Sequence, residues 1–285
     1  SIGGAGKSPI TTRLAARLLE SGRNPAILTR GYRRKSHEDA IVPRGGKAPI
    51  ESTGDEAQIF ICRGIAHVGI GADRFSIGRR MERELAPDIF LLDDGFQHRR
   101  LHRDHDIVLI DALDPFAGGV FPLGRLREPP ESLARADTII VTRVESGQDI
   151  SGIEKWIARY NAAAPVFHSR VVPLGWVDAE TGAAEELPPG RIAAFCGLGS
   201  PRAFWRTLDE MGVHCVQRRA FPDHHRYRRE DLKNLAASAD VLVTTEKDMM
   251  NLWKGTLQII APRKLFWLKI EIEIEREDEL LRRIS

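Results

Sequence analysis

SIGGAGKSP (1–9) opens the chain and runs straight into ITTRLAARLLESG (10–22). Glycines 3, 4 and 6 stand ahead of Lys7 and Ser8. Glycine lets backbone N–H groups wrap phosphate oxygens closely. The segment that follows repeats apolar residues at helical spacing and stops at Gly22. A Gly-rich loop that opens a helix is suited to phosphate, because the helix N-terminus adds a positive dipole end. In this reading Gly3, Gly4, Ala5 and Gly6 line the phosphates, Lys7 reaches the β- and γ-phosphates, and the Ser8 hydroxyl binds Mg2+. Ser1 stands where the strict G-x-x-x-x-G-K-[ST] pattern has its first glycine. The competing reading is a Gly-rich turn before a helix.

Phosphate loops follow a buried strand. No residue precedes Ser1 here, so the expectation is a strand upstream of this sequence, along with any anchor or targeting segment. Downstream, apolar strands alternate with helices. PAILTRGY (25–32), AHVGIG (66–71), PDIFLLDDG (87–95), HDIVLIDA (105–112) and ADTIIVTRV (136–144) read as strands, and DEAQIFICRG (55–64) and DRFSIGRRMEREL (73–85) as helices. That alternation predicts a parallel sheet covered on both faces. VVPLGWVDAETGAAEELPPG (171–190) reads as a hairpin or linker. A second α/β run follows: strand and turn at 191–199, a helix at 201–212, strand and turn at 239–248, a strand at 264–275 and a polar terminal helix at 275–285. The expected class is α/β. A P-loop NTPase-like parallel-sheet domain spans 1–168, and a β linker with a smaller C-terminal α/β domain spans 169–285.

With 42% hydrophobic residues, 285 residues suffice for a full core. The net charge of +2 does not point to nucleic acid, and no such partner is expected. Arginines cluster in RGYRRK (30–35), FQHRRLHRD (96–104) and HHRYRRE (224–230), as on a solvated face or a surface that meets anions. Cys62, Cys196 and Cys215 are too far apart for a metal pair and fit a reducing cytoplasm. No apolar run approaches the ~20 residues of a membrane span.

Several residues carry chemistry. FLLDDG (90–95) is an apolar strand ending in Asp93 and Asp94, where a carboxylate holds Mg2+ or merely caps a turn. GDEAQ (54–58) sets Asp55 and Glu56 before a helix, as caps or as a base for a hydroxyl nucleophile. FPDHHRY (221–227) offers a weak metal set or a His beside a carboxylate. Arg127, in GRLREPPESL (124–133), suits bidentate phosphate binding or a loop salt bridge.

In order along the chain, GGAGKSP (3–9), TRGY (29–32), GDEA (54–57), DDGFQH (93–98), LHRD (101–104), LREP (126–129), GLGSPRAF (197–204), FPDHH (221–225) and TEKD (245–248) resemble the motifs of one family, the tetraacyldisaccharide 4'-kinases or lipid A 4'-kinases. In that family a Ser or Thr commonly replaces the first Walker glycine, as Ser1 does. GDEA departs from the family's GDEP, and VTR (141–143) from a usual Asn-containing turn. The resemblance implies transfer of the γ-phosphate of ATP, with Mg2+, to the 4'-hydroxyl of a tetraacyldisaccharide 1-phosphate, giving lipid IVA. It implies Asp55 as base with His224 as its dyad partner, and Lys7, Ser8, Asp93 and Asp94 around phosphates and metal. Glu56, Gln97, His98, Arg127 and Glu128 are expected to line the site. It also implies a peripheral place on the cytoplasmic face of the bacterial inner membrane. The rival readings are a P-loop switch or metallochaperone, a DHH-type phosphoesterase and a non-catalytic scaffold. None of them needs LREP together with the Lys7 loop.

Overall fold

In the computed structural model of the chain, residues 6–284 are described except 32, 33, 37, 99, 121, 122, 125, 146, 224 and 254. By contacts the chain divides into two compact units. Residues 1–170 with 272–285 form one and residues 171–271 the other. The C-terminal stretch 272–285 groups with the first unit.

The first unit begins with α1 (Lys7–Glu20), β1 (Pro25–Thr29), β2 (Ala40–Val42), α2 (Ile50–Thr53) and α3 (Asp55–Arg63). It continues through β3 (His67–Ile70), α4 (Arg74–Leu85), β4 (Ile89–Leu92), β5 (Ile107–Asp111), a 3-10 turn (Pro130–Arg135), β6 (Thr138–Thr142) and α5 (Ser151–Tyr160). One sheet has the order β2-β3-β1-β4. β1 is parallel to β3 and β4, while the short edge strand β2 is antiparallel to β3. β5 and β6 form a second parallel run that continues onto β7 (Val166–Asp178).

β1 is buried at all five positions, as a strand covered on both faces must be. Ile27, Val68 and Ile70 pack against Ala15 of α1 and Phe60 of α3. On the other side Ala26 and Leu28 meet Ile77 and Met81 of α4. β4 and β5 each end a hydrogen-bonded run. A cavity of about 700 Å3 is lined by Ile89–Leu92, by Ile107, Val108 and Leu109, and by Ile10 and Leu14 of α1.

The second unit continues β7 and adds β8 (Ala184–Glu185), β9 (Ile192–Cys196), α6 (Pro201–Glu210), β10 (Cys215–Ala220), α7 (Arg229–Ser238), β11 (Val241–Thr245), α8 (Glu246–Met250), α9 (Thr256–Ile260) and most of β12 (Lys264–Ile274). The chain then returns to the first unit as α10 (Glu277–Ile284). β9 pairs parallel with β10 and β11, and β11 with β12, in the order β10-β9-β11-β12. The 171–190 segment is a hairpin, with Trp176 opposite Glu185.

Three elements correct the reading from pattern. α5 and α7 are regular helices that periodicity alone did not single out. The terminal helix is more than polar, since Leu280 and Leu281 are buried and Glu277 binds Arg13 of α1 at 2.6 Å.

Candidate active site

α1 starts at Lys7 behind Gly6, whose φ of 79° is left-handed. The Lys7 ammonium projects to the end of β4 and donates to Asp94 Oδ1 at 2.8 Å. Arg127, reaching in from the LREP segment, grips the other Asp94 oxygen in a close ion pair. Asp94 itself sits at φ 57°. Such a conformation costs a non-glycine residue energy and recurs at functional positions. Burial raises the pKa of Asp94, but Lys7 and Arg127 outweigh it and hold the carboxyl below its ordinary range.

Asp93 is different. Its backbone N–H extends the ladder by donating to Leu28 O of β1 at 3.0 Å, which turns its side chain inward. It is 4% exposed, and Oδ1 has no hydrogen-bond partner among the described residues. Burial, then the negative charge of Glu56, raise its pKa to about 7, with Asp94 adding to the rise and Lys7 and Arg74 opposing it. Two adjacent carboxylates thus differ in state. Asp94 is neutralised by cations, and Asp93 is buried and short of positive charge. A buried oxygen of this kind is what a hard divalent cation completes.

Asp55 and Glu56 form the first turn of α3. The cap position belongs to Gly54, and no side chain caps the helix. Asp55, 6% exposed, accepts the N–H of Glu56 at 3.0 Å. Glu56 is near enough to Asp93 to raise its pKa.

Gln97 is exposed and bonds to Glu128. Burial raises the Glu128 carboxyl, but bonds from Arg135, Ser132 and Gln97 hold it below its usual range. His98 lies in the turn after Gly95, donating its N–H to Gly95 O at 2.8 Å. The LHRD motif explains how that turn is held. Arg103 donates to the carbonyls of His98 (2.7 Å) and Leu101 (3.0 Å) and clasps Asp106 with two further bonds. Lys7, Asp93, Asp94, Gln97 and Arg127 all border the cavity described above. Gly3, Gly4, Ala5 and His224 lie outside the described residues.

One cation escaped the sequence reading. Arg74 opens α4 after β3, is 5% exposed and lies close to Asp93, Asp94 and Arg30. Burial and Arg30 push its pKa down, yet a guanidinium stays charged. Its signal was GADR (71–74), a turn at the C-terminal end of a strand, where parallel sheets collect ligands.

The sequence matches the profile of the tetraacyldisaccharide-1-P 4'-kinases (LpxK) over residues 1–285. The chain belongs to this family. The tetraacyldisaccharide 4'-kinase of Anaeromyxobacter sp. (strain K) is 36% identical, covering 99% of this chain and 78% of that protein. The enzyme of that name from Halothermothrix orenii is 32% identical, covering 100% and 81%. A crystal structure of the "apo" form of LpxK from Aquifex aeolicus in complex with ATP superposes with a TM-score of 0.72 at 30% identity, covering all of this chain and 84% of that one. The expected P-loop kinase fold and kinase activity both agree with these relatives. As a member of the tetraacyldisaccharide-1-P 4'-kinase family, the chain is an ATP-dependent phosphotransferase.

Proposed function

We propose that this chain transfers the γ-phosphate of ATP to the 4'-hydroxyl of a tetraacyldisaccharide 1-phosphate, giving lipid IVA, with Asp55 as the base and His224 supporting it. The observation that carries the reading is Asp93, a buried carboxylate with an unpartnered oxygen beside the lysine of a phosphate loop. Asp93 and the Ser8 hydroxyl hold Mg2+, and the orphaned Oδ1 favours Asp93 over Asp94 as the nearer ligand. Mg2+ bound with the nucleotide neutralises charge on the transferring phosphoryl oxygens.

Phosphoryl transfer relies on positioning and electrostatics more than on covalent chemistry. Gly3, Gly4, Ala5 and Gly6 offer backbone N–H groups to the phosphates. Lys7 and Arg127, kept at the site by Asp94, exchange that carboxylate for phosphate oxygens. Asp55 takes the proton of the attacking hydroxyl. Glu56, Gln97, His98 and Glu128 line the approach of the disaccharide.

The substrate is acylated and anionic. Phe116 (49% exposed), Val120 (37%) and Leu123 (95%) precede Arg127 in one loop, so apolar and cationic groups lie close together in sequence. These features support peripheral contact with a membrane surface, which in this reading is the cytoplasmic face of the inner membrane. No helix among the described residues is long and apolar enough to cross a membrane.

The test is phosphate transfer from labelled ATP to detergent-dispersed tetraacyldisaccharide 1-phosphate. Asp55→Ala is expected to lower kcat by about 10²–10⁴-fold, the range for a lost general base, with the ATP Kd within about threefold. Loss of ATP binding in step with turnover would assign Asp55 to nucleotide or metal instead.

A further inference from the structure

In the second unit, three motifs, of which only FPDHHRY with its His224 has a part in the proposed chemistry, meet at one buried carboxylate. GLGS follows β9, FPDHHRY follows β10 and TEKD follows β11. All three therefore lie at the C-terminal ends of parallel strands, where β9 has β10 on one side and β11 on the other. Such a reversal of strand order opens a crevice between the loops.

Asp248 fills that crevice with no exposed surface. Its Oδ1 accepts the Gly197 N–H at 2.8 Å and the Tyr227 hydroxyl at 2.7 Å, and its Oδ2 accepts the Thr245 hydroxyl at 2.6 Å. The approach is tight. A Cβ on Gly197 would stand 3.1 Å from both Asp248 Oδ1 and Pro222 O, and 3.3 Å from His225 Cβ.

The flanks of His224 are tied as well. Asp223 pairs with Lys247 at 2.8 Å, and His225 with Asp231 at 2.9 Å while stacking on Phe221 at 4.6 Å. Tyr227 stands edge-on to Phe195, Phe221 and His225. Burying a carboxylate is costly, and a packed apolar side chain serves stability as well or better. What the carboxylate adds is geometry, because its bonds tie two other loops, through Gly197 and Tyr227, to the start of its own helix at Thr245.

We infer that Asp248 is a positioning residue: by joining Gly197, Tyr227 and Thr245 it holds residues 221–223 and 225–227, which flank His224 in the sequence. The inference rests on the reading above in which His224 supports the base. Tyr227→Phe removes one hydroxyl and leaves the ring in its packing. Asp248→Ala removes the whole hub. Asp248→Asn keeps Oδ1 for Gly197 and Tyr227, and its amide can donate to the Thr245 oxygen.

The experiment is steady-state phosphate transfer by the full chain with MgATP and tetraacyldisaccharide 1-phosphate, for each variant alone and combined with His224→Ala. Tyr227→Phe and Asp248→Ala are expected to lower kcat about tenfold or more with the ATP KM within about twofold. Asp248→Asn is expected to recover most of the loss seen with Asp248→Ala. On the His224→Ala background Tyr227→Phe is expected to cost less than about twofold further, the non-additivity of residues that act as a unit. Should Asp248→Ala fail to fold, Tyr227→Phe and its double variant decide alone. Unchanged kcat in Tyr227→Phe, or an equal further loss on the His224→Ala background, overturns the inference. Full activity in His224→Ala alone overturns the reading of His224 first, and the positioning role with it.

Discussion

Asp93 and Asp94 are neighbours in sequence and opposites in chemistry. The left-handed backbone of Asp94 turns its carboxylate to Lys7 and Arg127, while burial and the charge of Glu56 push the Asp93 carboxyl up to about 7. A carboxyl whose pKa is higher folded than unfolded binds more protons in the folded state between those two values. Stability from this group is therefore greatest at low pH and falls as pH rises from about 4 to about 7. Carboxyls held low, such as Asp94 and Asp231, act in the opposite sense at the acid end of the range. In EDTA, Asp93→Asn is expected to be more stable than the parent chain at pH 8, by up to about 4 kcal/mol. At pH 5 the gap should narrow to about 1–2 kcal/mol. Chemical denaturation at both pH values measures the difference, and a gap independent of pH would exclude the raised pKa.

At the scale of elements, the site depends on how closely α4 lies on β3. Gly69 allows that contact, since a Cβ there would stand 2.6 Å from Met81 Sδ and 2.7 Å from both Ile77 Cγ2 and Leu28 Cδ2. Arg74 begins the same helix, so a displaced α4 also displaces a cation beside Asp93 and Asp94. Gly69→Ala is expected to cost about 1–3 kcal/mol, as overpacking of a filled core does, and to lower turnover along with stability. An unchanged urea midpoint would show that the three side chains yield freely. The helix α1 and the strands β1, β3 and β4 were legible because their apolar residues follow one period each. α5 and α7 were not singled out. β10, with alternate residues half-buried and exposed among CVQRRA, gives a weak signal of its own, because an edge strand buries only one face.

At the scale of the whole molecule, the first unit is assembled from both ends of the chain. Residues 272–285 return to it, burying Ile272, Ile274, Leu280 and Leu281. Glu277 binds Arg13 and Arg17 of α1, and Asp278 binds Arg17 at 2.9 Å. Burying four such side chains contributes about 6–12 kcal/mol, comparable to the net stability of a domain. Deleting 272–285 is therefore expected to abolish the cooperative thermal transition of the first unit. Calorimetry checks this, and a Tm within about 2 °C of the intact chain would refute it.

The sequence alone determined the alternation of apolar strands and helices, the phosphate loop, the order of motifs that marks the family, and the candidate residues from Lys7 to Glu128. The alternation and the loop are local properties, written in periodicity and spacing, and the site-lining residues are implied by the resemblance that the motifs carry. Only the tertiary structure decided which of two adjacent aspartates is buried with an unpartnered oxygen, that Arg74 stands beside them, that the last helix closes on the first, and that three loops converge on Asp248. Burial, charge crowding and contact between distant segments arise when the chain packs, and no window of sequence contains them.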